Sequence, residues 1–198
     1  MTLRTTQPNI IFSKPLYDRK ETNRIMVHHS VSDPTTTAER IHQWHLDKGW
    51  SGIGYHYVIL GSGEIQNGRP INKVGAHTYD YNSDSIGICM SGNFMNSTPS
   101  EAQLVSLVAL IRYIESVYKR KLLVQRHKDL NPTACPGDMF PWDNLLQRLQ
   151  TVEPDGTLIQ RALDNKIVTQ AHDITEPATK EFVLLTELNL LEEIRRNK

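Results

Sequence analysis

The 198 residues suffice for one ordinary domain and a small appendage, and 38% apolar content with 7% aromatics can fill a core and disfavours wholesale disorder. Lys plus Arg and Asp plus Glu number 22 each, a balance that argues against a dedicated nucleic-acid binder with its basic excess. Two cysteines, Cys89 and Cys135, are too few for a disulfide framework, and no apolar run approaches the roughly 20 residues of a membrane span, so membrane insertion is not expected.

In chain order, the apolar run Ile10-Ile11-Phe12 is too short for a signal-peptide core, which predicts synthesis in the cytoplasm without export by its own leader. Arg24 to His29 is β-rich and reads as a central strand. Thr35 to Lys48 carries Ile41, Trp44 and His45 at helical spacing, with Gly49 as the stop. Tyr55 to Leu60 and Glu64 to Gln66 flank Gly61-Ser62-Gly63 as a hairpin, and Ser85 to Met90 is a buried strand that holds Cys89 as a small hydrophobe. Thr98-Pro99-Ser100-Glu101 predicts a capping box with Pro99 at the first helical position, ahead of a helix with Leu104, Leu107, Val108, Ile111, Ile114 and Tyr118 on one side. Leu122 to Gln125 is a short strand and Phe140 to Leu149 a short helix. After a turn at 151–156, helices are expected over about 157–165 and 178–196. This tail has too few apolar positions to form a core of its own and is expected to dock, self-associate or bind a surface.

Eight histidines are present, and a lone histidine is more often structural than a ligand. The segment from Arg126 to Gly137 is more informative. His127 and Cys135 are eight residues apart, and Pro132, Pro136 and Gly137 can fold the loop so that both side chains reach one ion. A third donor should come from a rigid element, and His28, at the end of the first strand, is the natural candidate. Three ligands leave the fourth tetrahedral position for water, the mark of a catalytic zinc site. Spacing alone does not prefer His28 over His29; the two point to opposite faces of a strand, so only one should ligate.

Several pieces occur in a fixed order: Val27-His28-His29-Ser30, Trp44-His45 with Gly49-Trp50, Gly54-Tyr55-His56-Tyr57, Val74-Gly75-Ala76-His77, Asn82 to Ile88, and His127 with Pro132 to Gly137. Together, over about residues 20 to 148, they resemble the zinc-dependent N-acetylmuramoyl-L-alanine amidase family, which includes phage amidase endolysins and peptidoglycan recognition proteins. The resemblance implies an α/β fold, a mixed central β-sheet flanked by helices, with a small α-helical C-terminal segment. The composition shift after about residue 150 divides the chain into a catalytic domain at 1–150 and a helical segment at 151–198, whose similarity to short helical modules that end some clostridial and bacillar phage proteins implies wall binding or oligomerisation. The family resemblance places Zn2+ on His28, His127 and Cys135, and makes Tyr55 catalytic with Thr133 as a helper. Some phage members carry lysine at the position of Thr133, whose hydroxyl donates a hydrogen bond but brings no charge. His56, His77 and Trp50 are expected along the substrate groove. The implied partner is bacterial peptidoglycan, with self-association through 157–198, and the implied route to the wall is holin-type release of an endolysin.

Competing readings stand beside this one. His42 and His45 are expected to be structural, since no HExxH arrangement accompanies them, and His29 to make a buried hydrogen bond. A recognition module that binds stem peptides without cutting them would be favoured by loss of the cysteine, but Cys135 is present. An autolysin would share the chemistry and need export. In the recycling amidases an acidic residue is expected where Tyr55 stands.

Overall fold

The computed structural model describes residues 3–150, and the helices expected within 157–196 lie outside the described residues. Along the chain run β1 (Arg24–His29), α1 (Ala38–Asp47), β2 (Tyr57–Ile59), β3 (Ile65–Asn67), β4 (Ser85–Met90), α2 (Glu101–Tyr118), β5 (Leu123–Arg126), a 3-10 turn (His127–Asp129) and α3 (Trp142–Gln150). The strands form one sheet in the order β3-β2-β4-β1-β5. β2, β4, β1 and β5 are parallel to their neighbours, and only β3 runs antiparallel, to β2. This is the mixed sheet expected, with β1 and β4 at its centre.

Both faces of the sheet are covered, which is why all six β4 residues are buried and the strand reads as a continuous apolar run. Side chains alternate across the strands. Ile25 and Val27 of β1 with Ile86, Ile88 and Met90 of β4 pack against Leu104, Leu107, Ile111 and Ile114 of α2. On the other face Val58 and Cys89 pack with Ala38 and Ile41 of α1 and with Ile53 and Leu60. This second cluster includes no β1 or β5 side chain. α1 therefore packs on the β2 and β4 side of that face, while Met26 and His28 of β1, both fully buried, lie beyond this cluster.

The element ends show where local hydrogen bonds override pattern. α2 begins later than its Thr98-Pro99 signal suggests. Ser100 is the N-cap, its Oγ accepting from the Gln103 N–H while Gln103 Oε1 accepts from the Ser100 N–H. Gln103 takes that position because its amide also donates to Ile59 O at 3.2 Å and Ser91 O at 2.9 Å, tying the helix start to the strand ends. α1 likewise starts after Thr37, whose Oγ1 accepts from the Arg40 N–H, because Thr35 is engaged in a turn with Asp33 Oδ1. β2 is shorter than the run Tyr55 to Leu60. Tyr55 and His56 precede it in a loop whose carbonyls accept from the Arg69 and Gly68 N–H groups. At the border of the sheet Thr6 lies along β3, its N–H donating to Ile65 O and its carbonyl accepting from the Asn67 N–H, both at 2.9 Å.

Candidate metal centre

β1 delivers His28 to the part of the α1 face beyond that apolar cluster, and the chain leaving β5 delivers His127 and Cys135 to the same place. One ligand atom from each of the three lies within 4.8 Å of the others. His28 Nδ1 is 3.7 Å from Cys135 Sγ. Zinc with nitrogen at about 2.0 Å and sulfur at about 2.3 Å holds tetrahedral ligands roughly 3.3–3.7 Å apart, so the His28–Cys135 separation and the donor set fit that ion, and the 4.8 Å bound on the set requires the ligands to draw in slightly around it. His127 Nε2 is 3.1 Å from Asn131 Oδ1, an interaction that orients the ring from behind.

The loop between the two later ligands is fixed by its own backbone. The Lys128 N–H donates to Cys135 O at 2.9 Å, and the Cys135 N–H donates to Thr133 Oγ1 at 3.2 Å. The Cys135 thiol, 8% exposed, accepts from the His29 N–H at 3.4 Å. Burial pushes this thiol up to about 11, so in the absence of a cation it stays protonated at neutral pH. Burial also lowers His28 and His127, which keeps both imidazoles neutral and able to ligate. His29 faces the opposite side, where its Nδ1 accepts from the Phe94 N–H at 3.1 Å.

Tyr55 reaches the centre through a close backbone approach. A Cβ on Gly54 would fall 1.9 Å from Ala76 O, so only glycine lets the two segments touch. The Gly54 N–H donates to His45 Nδ1 and the Ile53 N–H to His42 Nδ1, both at 3.0 Å. These two histidines of α1 are structural and hold the loop that presents Tyr55. Its ring lies 5.1 Å from that of His28 and 5.7 Å from that of His45, centroid to centroid. Burial and the nearby Cys89 and Cys135 thiols push the Tyr55 phenol well above its ordinary range, so it remains a donor.

The remaining sequence-derived positions separate. Trp50 is 43% exposed, its ring 4.6 Å from that of His45. Thr133 is exposed beside Cys135. His56 is 1% exposed and occupied at both nitrogens: Nδ1 accepts from the Gly87 N–H at 2.9 Å, and Nε2 meets Lys73 O and Arg19. It lies beneath the centre, out of reach of a groove. His77, 8% exposed, sits behind His28 with Nδ1 3.2 Å from His28 Nε2. Asn131, Thr78 and Cys89 complete the surroundings and were not singled out as site residues from sequence, although each lies within or next to a segment that was: Arg126 to Gly137, Val74 to His77 and Asn82 to Ile88.

The interior histidines set an acid limit on the fold. Burial holds His45 down to about 4 and His56 down to about 3, whereas both titrate near 6.5 in an unfolded chain. Below about pH 6.5 the unfolded state therefore binds more protons, and stability that is complete above that pH falls as pH drops towards 4. Chemical unfolding of metal-free protein should show a loss of roughly 4 kcal/mol between about pH 7.5 and 4.5. A flat profile over that window would mean that these rings are solvated.

The family model of N-acetylmuramoyl-L-alanine amidases matches residues 18–138. An endolysin of Klebsiella phage KP32 is 36% identical over 134 residues, covering 63% of this chain and 87% of that protein. Peptidoglycan-recognition protein SC2 of Drosophila melanogaster is 31% identical over 136 residues, covering 60% of this chain and 73% of its own. The solved structure of N-acetylmuramoyl-L-alanine amidase LysC from Clostridium intestinale URNW superposes with a TM-score of 0.72 at 37% identity, covering 76% of this chain and 99% of that one.

Proposed function

The chain belongs to the N-acetylmuramoyl-L-alanine amidase family, and on that footing we propose that it is a phage-type zinc enzyme cutting the amide bond between the lactyl group of N-acetylmuramic acid and L-alanine in bacterial peptidoglycan. The observation that carries the zinc assignment is the convergence of one ligand atom each from His28, His127 and Cys135 within 4.8 Å. Zinc bound there would polarise the scissile carbonyl and bring the pKa of a bound water towards neutrality. Tyr55 keeps its proton and donates a hydrogen bond to the oxygen that gains negative charge as the carbonyl is attacked. Thr133 Oγ1 already accepts from the Cys135 N–H, which leaves its own hydrogen free to donate to substrate. Trp50 supplies an apolar wall for the glycopeptide. His56, engaged at both nitrogens by Gly87, Lys73 and Arg19, contributes by holding the surrounding segments together.

Residues 1–150 form the catalytic unit in this reading, and 151–198 an appended segment for wall attachment or self-association. No helix among the described residues is long and apolar enough to cross a membrane, and access to the wall through a holin-type lesion is part of the proposal. The test is release of L-alanine amino termini from purified sacculi of several wall chemotypes. Release is expected, with loss under a chelator and recovery on adding zinc. Binding to every chemotype without release from any would replace the hydrolase by a recognition module.

A further inference from the structure

We propose that His77 is a positioning residue for the metal centre: its Nδ1 accepts a hydrogen bond from His28 Nε2 and so holds His28 in the tautomer that presents a bare Nδ1 to the cation. This rests on the reading of His28, His127 and Cys135 as metal ligands. The sequence suggested instead that His77 lines the groove.

A neutral imidazole carries one proton, and a ligating nitrogen must be without it. His28 turns Nδ1 towards Cys135 Sγ, 3.7 Å away, so its proton belongs on Nε2. That nitrogen faces away from the ligand cluster. Its neighbours are His77 Nδ1 at 3.2 Å and Thr78 Oγ1 at 3.4 Å, and the same hydroxyl lies 3.0 Å from His77 Nδ1, so the three groups form one small cluster behind the ligand. With Nδ1 of His77 accepting, the proton of that second ring sits on its Nε2. There it is buried without a hydrogen-bond partner among the described residues. A buried nitrogen without a partner calls for a reason, and the contact of the ring's other nitrogen with His28 offers one.

The surroundings fix this ring tightly. A Cβ on Gly75 would come 2.5 Å from His77 Nε2, and a Cβ on Gly87 of β4 would come 2.5 Å from its Cδ2, so the imidazole occupies a slot cut by two glycines. Asn82 Oδ1 accepts from the His77 N–H at 2.7 Å and from the Thr78 N–H at 2.9 Å, anchoring the backbone that carries it. Three segments thus converge to place one acceptor behind one ligand, the kind of support that outer hydrogen bonds give metal-binding histidines.

The experiment compares two replacements that both fill the slot, His77→Gln, whose amide oxygen can accept from His28, and His77→Leu, which cannot. The metal-free full chain is titrated with Zn2+ against a chromophoric chelator and with Co2+ for its absorption spectrum, alongside thermal unfolding of each metal-free variant. His77→Leu should bind Zn2+ about 10- to 100-fold more weakly and alter the Co2+ d–d bands while unfolding at or near the wild-type temperature. His77→Gln should recover most of the affinity. Equal affinities for wild type, Leu and Gln, or equal weakening in Leu and Gln, would overturn the proposal and leave the metal site intact. Should wild type and Cys135→Ser bind Zn2+ alike, the ligand assignment itself falls, and the role of His77 with it.

Discussion

Replacing Cys135 with serine should lower L-alanine release from sacculi by roughly 10²- to 10⁴-fold, because a Lewis acid is worth several kcal/mol to such a reaction and each 1.4 kcal/mol is about tenfold. Serine is close in size but does not ionise at neutral pH, so the cluster would keep two imidazoles and lose its anionic donor. The fold should survive. The loop is held by the bond from the Lys128 N–H to Cys135 O and by that from the Cys135 N–H to the Thr133 hydroxyl, neither of which involves sulfur, and a serine oxygen can still accept from the His29 N–H. Metal stoichiometry by mass spectrometry, measured on the same samples as the rate, should fall together with it. Undiminished release with a metal-free protein would remove Cys135 from the chemistry altogether.

Tyr55→Phe should reduce kcat by about 10²- to 10³-fold and leave KM close to that of wild type, the expectation for a donor that acts on charge appearing only during reaction. Phenylalanine keeps the ring contacts with His28 and His45, so the loss would report on the hydroxyl alone. The phenol is held protonated far above neutral pH. The wild-type rate should accordingly show no alkaline limb from this group within the range where the fold is stable. A raised KM with kcat intact would make Tyr55 a binding residue instead.

Much of the framework is legible along the chain because its causes are local. β4 announces itself as an unbroken apolar run, and the α2 face is visible in the spacing of Leu104, Leu107, Ile111 and Ile114. His127 and Cys135 stand out because a turn-forming stretch joins two soft donors. The choice of His28 over His29 is not local. It follows from sheet register, which sets His28 beside Cys89 on the α1 side and turns His29 towards Phe94. The same holds for His56 and His77, which adjoin the chemistry in sequence yet face inward. Their places depend on Gly54, Gly75 and Gly87, where separate segments meet within a side chain's breadth. A glycine in the midst of β4 was the available hint, since a strand interior gives up packing for it only where something else approaches.

The border of the sheet bears on how the protein tolerates crowding by its own copies. An exposed β3 would present a row of unpaired amides, the usual template for strand-to-strand aggregation. Thr6 occupies part of that row, bonding on both sides to Ile65 and Asn67. The opposite border, β5, is only four residues long, with Lys121 two residues ahead of it and Arg126 as its last residue. Neither margin offers a long flat edge for another chain to extend. The short stretch ahead of the first strand thus serves as insulation for that border, a protective role held by residues remote in sequence from His28, His127 and Cys135.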